Sequence, residues 1–205
     1  MLNDVLRMLL ILGAVVVLFW LFTRLGGREF ARRRKTLEEV ARSLGLALSG
    51  NDTAPGMQGT RDGVEVRVET VRVKMRRGHR ALLQVTARPL GPLPTLVAFE
   101  KSRTTEETFP GLAQVRTGDT AWDAAFVTYA SDQAALAPLS SEFRHELLGG
   151  AGQPRLPVER CKVDGSEVVL DFPAIDATLY SPRLARIVSL VVALCARARP
   201  AAAAT

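Results

Sequence analysis

The chain has little with which to hold a transition metal or to staple itself with disulfides: two cysteines and two histidines in 205 residues. Multi-ligand zinc sites and cysteine-rich secreted scaffolds are left almost without raw material. The short signatures of common catalytic machinery are missing as well. There is no G-x-S-x-G, no P-loop, no H-E-x-x-H, no C-x-x-C and no G-x-G-x-x-G. Lysine is scarce, four against 23 arginines, the balance expected of a GC-rich bacterial genome. What is present is ordinary for a folded domain. Hydrophobic residues make up 47% and charged ones 23%, close to the globular averages of about 45–50% and about 25%. That composition excludes a disordered chain or a collagen-like fibre.

The formal net charge of +6 is concentrated rather than spread. Residues 24–35 hold Arg24, Arg28, Arg32, Arg33, Arg34 and Lys35 against the single acid Glu29, a balance of +5. A nucleic-acid-binding domain distributes its basic charge over the folded surface. Here it adjoins an uncharged run of sixteen residues, Met8 to Thr23. Sixteen helical residues span about 24 Å, and the hydrocarbon core of a bilayer is about 30 Å thick. Val5, Leu6 and Leu25 extend the run if Arg7 and Arg24 snorkel to the headgroups. Phe19, Trp20 and Phe22 then lie at the interface, where aromatic rings anchor a span. A cleaved signal peptide would have a basic start and small residues at a cleavage site; this segment has Asp4 and ends Phe-Trp-Leu-Phe-Thr-Arg. The sequence therefore predicts an uncleaved anchor over residues 1–25 and a basic juxtamembrane segment over 26–35, in which Arg28, Arg32, Arg33, Arg34 and Lys35 face the headgroups. Six basic residues follow the span and one precedes it, which puts the C-terminal side in the cytoplasm, at the inner (plasma) membrane.

The rest of the chain reads as one α+β domain over 36–199, with a disordered tail over 200–205. Thr36 and Glu39 have the spacing of a capping box, and Leu37, Val40, Ala41 and Leu44 follow at helical spacing before Gly45. Val64, Val66 and Val68 alternate with Glu65, Arg67 and Glu69 after an Asp62-Gly63 turn, the pattern of a half-buried antiparallel strand. Strands are expected over 57–60, 64–74, 81–88, 96–100, 126–130, 158–163 and 166–172. Short helices are expected after Asp119, after Ser131 or Asp132 up to Pro138, and after Ser140 or Ser141. A C-terminal helix opens at Ser181-Pro182. Strands and helices do not alternate regularly, so an antiparallel sheet with flanking helices is favoured over a doubly wound nucleotide fold.

Three features bear on function. Arg67, Arg72, Lys74, Arg76, Arg77 and Arg80 with Glu69 give +5 between residues 67 and 80. Arg72, Lys74 and Arg76 share one strand face, with Val71, Val73 and Met75 on the other, so Arg72, Lys74, Arg76, Arg77 and Arg80 form a candidate surface for anionic lipid or an acidic partner. A solvated strand face that discourages edge pairing is the plainer reading. Asp119 and Asp123, four residues apart, can place two carboxylates on one helical face, as a hard cation or an acid–base pair requires. The plainer reading makes Asp119 a cap and leaves Asp123 solvated. His145, between Arg144 and Glu146, is expected at or near the surface, and Trp122 and Phe126 in the core.

The segment from about Leu46 to Leu194 resembles an uncharacterised family of bacterial membrane-associated α+β domains. The likeness rests on Gly63-Val-Glu-Val-Arg-Val68, on Leu93-Pro94, on Gly118-Asp119-x-x-Trp122-Asp123-x-x-Phe126-Val127, and on Leu136, Leu139, Ser140 and Phe143 after it. A hairpin like Val158–Phe172 and an amphipathic C-terminal helix complete the pattern, although relatives tend to have Phe in place of Trp122. The resemblance implies a fold and a membrane address, and no activity. The expectation is thus a single-pass protein that contacts the bilayer through residues 5–25, with a non-catalytic interaction or scaffold domain, an unidentified protein partner, no nucleic acid and no assigned cofactor or metal. The alternatives are a small hydrolytic or metal-dependent enzyme using Asp119, Asp123 or His145, and an anionic-lipid-sensing domain working through Arg72–Arg80.

Overall fold

The computed structural model describes residues 31–32, 34–51, 54–75, 78–102, 108–149, 155–174 and 182–197, together with Val17 and Trp20. Most of the predicted anchor, Arg28 and Arg33, Arg76 and Arg77, and the 200–205 tail therefore lie outside the described residues.

The domain is α+β: a nine-stranded antiparallel sheet with helices packed on one face. The strands are β1 (Ala47–Gly50), β2 (Pro55–Arg61), β3 (Val64–Met75), β4 (Gly78–Arg88), β5 (Leu96–Glu100), β6 (Ala113–Val115), β7 (Phe126–Ala130), β8 (Arg160–Asp164) and β9 (Glu167–Pro173). Their order across the sheet is β1-β2-β3-β4-β9-β8-β5-β7-β6. The first four strands meander, and the β8–β9 hairpin inserts between β4 and β5, so the late part of the chain joins the two halves of the sheet. The Asp-Gly signal between β2 and β3 is a true hairpin turn: Asp62 has φ 53° and Gly63 φ 81°, both positive as a two-residue type I′ turn requires.

Strand alternation decides where the core lies. Val64, Val66 and Val68 of β3 stand beside Val85 and Ala87 of β4, then Val168, Leu170 and Phe172 of β9, then Cys161 and Val163 of β8. All of these are buried and form one cluster with the helices. Helix α1 (34–44) contributes Leu37, Val40, Ala41 and Leu44. Helices α2 (Thr120–Ala125) and α3 (Ser141–Leu148) contribute Trp122, Phe143 and Leu147. Helix α4 (Pro182–Arg197) lies over β3 and β4 with Leu184, Ile187, Val188, Val191 and Cys195 inward. Burying a side chain of this size contributes roughly 1.5–3 kcal/mol.

Three sequence expectations are corrected. Thr36 is not an N-cap: residues 31, 32 and 34–44 are helical, and the Thr36 hydroxyl donates to the Arg32 carbonyl (3.1 Å) one turn back. A capping box describes a helix that starts there; with helical residues upstream, the same threonine bonds back along the helix. The stop at Gly45 holds, with φ 69° and the Leu46 N–H donating to the Ala41 carbonyl. The helix expected before Pro138 is a single 3-10 turn over Ala134–Leu136, with the Asp132 carboxylate accepting from the Ala135 N–H (2.9 Å). Strands β1 and β6 were not foreseen: four and three residues long, they are too short to show alternation.

Candidate functional site

The β3–β4 hairpin is longer than its neighbours. Pairing between β2 and β3 ends at Met57 and Val68, and pairing between β9 and β4 ends at Pro173 and Leu82. Beyond Leu82 and its partner Val71, Arg72–Met75 and Gly78–Ala81 pair with each other as a two-stranded ribbon, its base tied by the Ala174 N–H donating to the Ala81 carbonyl (3.1 Å). At about 3.4 Å per residue its four pairs project about 14 Å past Leu82.

The apolar pattern changes phase where the ribbon begins. Val64, Val66 and Val68 occupy even positions; Val71 and Val73 occupy odd ones. Arg72 and Lys74 thus inherit the face that lower down packs against the helices, opposite Ala81 and His79. All three polar residues, Arg72, Lys74 and His79, are exposed. The valines behind them do not form a packing face: Val73 is 37% exposed, among the most exposed large hydrophobic residues described. Among the described residues β2 and β9 end short of it, and Val73 and Lys74, on its opposite faces, are both exposed.

Ion pairing divides the predicted basic set. Arg80 lies on the other face, in register with Val73, and pairs with Glu159. Arg67 pairs with Glu69 (2.8 Å) and Arg88 with Glu65 (3.0 Å). Arg72 and Lys74 have no ion-pair partner among the described residues. A concavity of about 550 Å³ lies at the ribbon base, lined by Arg72, His79, Arg80 and Ala81.

The carboxylates considered for chemistry are engaged in building the fold. Asp119 caps α2, accepting from the Ala121 and Trp122 N–H groups (3.1 Å each), and pairs with Arg144 (3.1 Å). The Trp122 N–H bond, helped by Arg144, holds its carboxyl below the ordinary value of 3.8, against the opposing effect of partial burial. Asp123 is not simply solvated. It accepts from the Thr117 N–H (3.0 Å) and hydroxyl (2.9 Å) and the Gly118 N–H (3.2 Å), closing the loop before the helix. Trp122 is fully buried, stacks on Phe126 at 4.2 Å and donates its indole N–H to Thr128 Oγ1 (3.1 Å). His145 is exposed on α3. Among the described residues, no group of three or more His, Cys, Asp and Glu side chains is placed to hold a metal ion.

Two features escaped sequence reasoning. One is an apolar cavity of about 330 Å³ between the Pro92-Leu93-Pro94 segment, Phe143 of α3 and Leu190, Ala193 and Leu194 of α4. Its signal was the proline run, which stops β4 from continuing and folds back over the helices. The other is a buried carboxylate on the sheet face opposite the packed helices: Asp171 is 1% exposed and accepts from Arg160 Nε (2.8 Å) and Gln84 Nε2 (2.9 Å). An aspartate inside an apolar strand marked it. Cys161 and Cys195 are free and buried, and burial pushes both thiols up to about 12.

No family model and no curated protein matches the chain. Among solved structures it is similar to the crystal structure of the mycobacterial trehalose monomycolate transport factor A, TtfA. The two share 14% identity over 84% of this chain and 97% of that one, with a TM-score of 0.53. The likeness is one of fold.

Proposed function

We propose that the chain is a single-pass membrane protein whose α+β domain works in the cytoplasm as a non-catalytic accessory module, associated with transport. The observation that carries the membrane reading concerns the uncharged run at the N-terminus. Val17 and Trp20 are helical and 55% and 54% exposed. Among the described residues the core begins at Leu37 and includes neither. The uncharged run of sixteen residues, Met8 to Thr23, followed by Arg24–Lys35, fits a bilayer as solvent, and its flanking charge favours this orientation. Among the described residues no helix is long and apolar enough to cross a membrane; the span proposed on hydropathy and flanking charge is residues 1–25. The accessory role is favoured by the structural neighbour's name as a transport factor, and by the engagement of Asp119 and Asp123 in capping rather than in an open site.

Alkaline carbonate extraction and protease protection test this reading together. The full-length chain is expected to stay with the membrane pellet in carbonate and to lose its C-terminal domain to protease only when the cytoplasmic side is accessible. A chain lacking residues 1–25 is expected in the soluble fraction. Release of the full-length protein by carbonate contradicts the anchor; digestion from the opposite side contradicts the orientation.

A further inference from the structure

We propose that the β3–β4 ribbon is a membrane-surface contact, in which Arg72 and Lys74 seat on the anionic headgroups of the bilayer that carries the anchor. The proposal rests on the anchored reading above and adds a second, separate attachment of the folded domain. Three observations support it. The other described basic side chains of the β3–β4 hairpin, Arg67, Arg80 and Arg88, are each paired with a glutamate. Arg72 and Lys74 are exposed and without an ion-pair partner among the described residues, on the part of the hairpin that extends past its pairing with β2 and β9. The concavity beside them is lined, among the described residues, by Arg72, His79, Arg80 and Ala81, and the unpaired Arg72 offers donors to an anionic oxygen there.

Charge attraction acts within a Debye length of about 8 Å at physiological salt. A ribbon projecting about 14 Å from the sheet, with Arg72 at its base and Lys74 three residues out, can lie along the surface and bring both charges that close while the body of the domain stays in water. The tether supplies the rest: a domain held at the bilayer meets headgroups at high effective concentration. Each basic residue near an anionic surface contributes about 1 kcal/mol, so two residues change the ratio of docked to undocked ribbon about thirtyfold. A soluble acidic protein would satisfy the same charges, but no tether holds one within reach.

The test uses the full-length chain with His79→Cys, labelled with an environment-sensitive maleimide dye and placed in nanodiscs. Cys161 and Cys195 are buried, with thiols held up at about 12, so the dye goes to position 79. In nanodiscs containing phosphatidylglycerol the emission is expected to move to the blue relative to pure phosphatidylcholine. The shift should vanish near 1 M salt, where the Debye length is about 3 Å. Adding Arg72→Gln and Lys74→Gln should lower the docked ratio about thirtyfold while leaving the thermal midpoint in place. Equal emission in the two lipids overturns the proposal, as does a shift that survives the double substitution. Polyglutamate is added as a competitor, and a shift with it but not with phosphatidylglycerol assigns the ribbon to an acidic protein and overturns the lipid contact. A chain that fails to co-elute with nanodiscs contradicts the anchor instead. The same emission is then read with vesicles added, where the ribbon must still distinguish phosphatidylglycerol from phosphatidylcholine.

Discussion

Val68 and Val73 lie five residues apart on one strand and in different surroundings. Val68 is fully buried between Met57 and Val85, beneath the helices; Val73 is 37% exposed, opposite Arg80 on a ribbon with open edges. The same contrast holds for charge. Below Thr70 each arginine of the hairpin is paired with a glutamate; above it Arg80 is paired with Glu159, while Arg72 and Lys74 stand without an ion-pair partner among the described residues. One hairpin therefore belongs to two regimes. Its lower half is fixed by packing on both strand neighbours and on α4, and its upper half is held by cross-strand hydrogen bonds, with the Arg80–Glu159 ion pair and the Ala174–Ala81 bond near its base. Stability resides in the first and the available charge in the second.

Substitutions should separate the two halves cleanly. The largest loss is expected from Trp122→Ala in the packed body, which removes the stack on Phe126 and the indole bond to Thr128; such truncations cost about 3–5 kcal/mol, read by denaturant unfolding. Val68→Ala removes two buried methyl groups and is expected to cost about 2 kcal/mol at about 0.8 kcal/mol each plus the cavity left behind. Val73→Ala, the same chemical change on the same strand, should stay within about 0.5 kcal/mol. Equal losses at the two valines would show that the ribbon packs against something in the folded chain.

A smaller effect distinguishes capping from catalysis at Asp119. Its folded carboxyl titrates below the ordinary 3.8, so the charge contributes stability above that value and loses it as the pH falls through the folded pKa. Asn at this position keeps a cap and removes the charge. Wild type is expected to be the more stable of the two above about pH 4, with the gap closing in more acid solution. A gap that widens toward low pH would contradict the pairing with Arg144.

The same contrast explains what the sequence made legible. Long alternating stretches and turn chemistry located β3, β4, β5, β7 and both Asp-Gly hairpins, because burial on one face imposes period two. The core positions of α4 followed from period 3.6 in the same way. The fate of Thr36 depended on whether helical residues precede it, which a local motif does not encode. The phase change at Thr70 was visible as valines moving from even to odd positions, but its meaning lay in where β2 and β9 end, a matter of long-range pairing. Strands β1 and β6 form because neighbouring strands offer them an edge, and their own residues carry no periodic signal. Asp119 and Asp123 have the spacing of a site; the Thr117–Gly118 loop that occupies Asp123 becomes apparent only in three dimensions.

Hydrogen exchange on the full-length chain, compared between nanodiscs of neutral and of anionic lipid, tests the division of the hairpin most directly. In neutral lipid the amides of 64–68 and 83–87 should be protected to near the global stability, and those of 71–75 and 78–81 should exchange much faster. In anionic lipid the ribbon amides alone should slow, while the lower half is unchanged. Uniform protection along both strands, or ribbon exchange indifferent to lipid charge, would contradict the account.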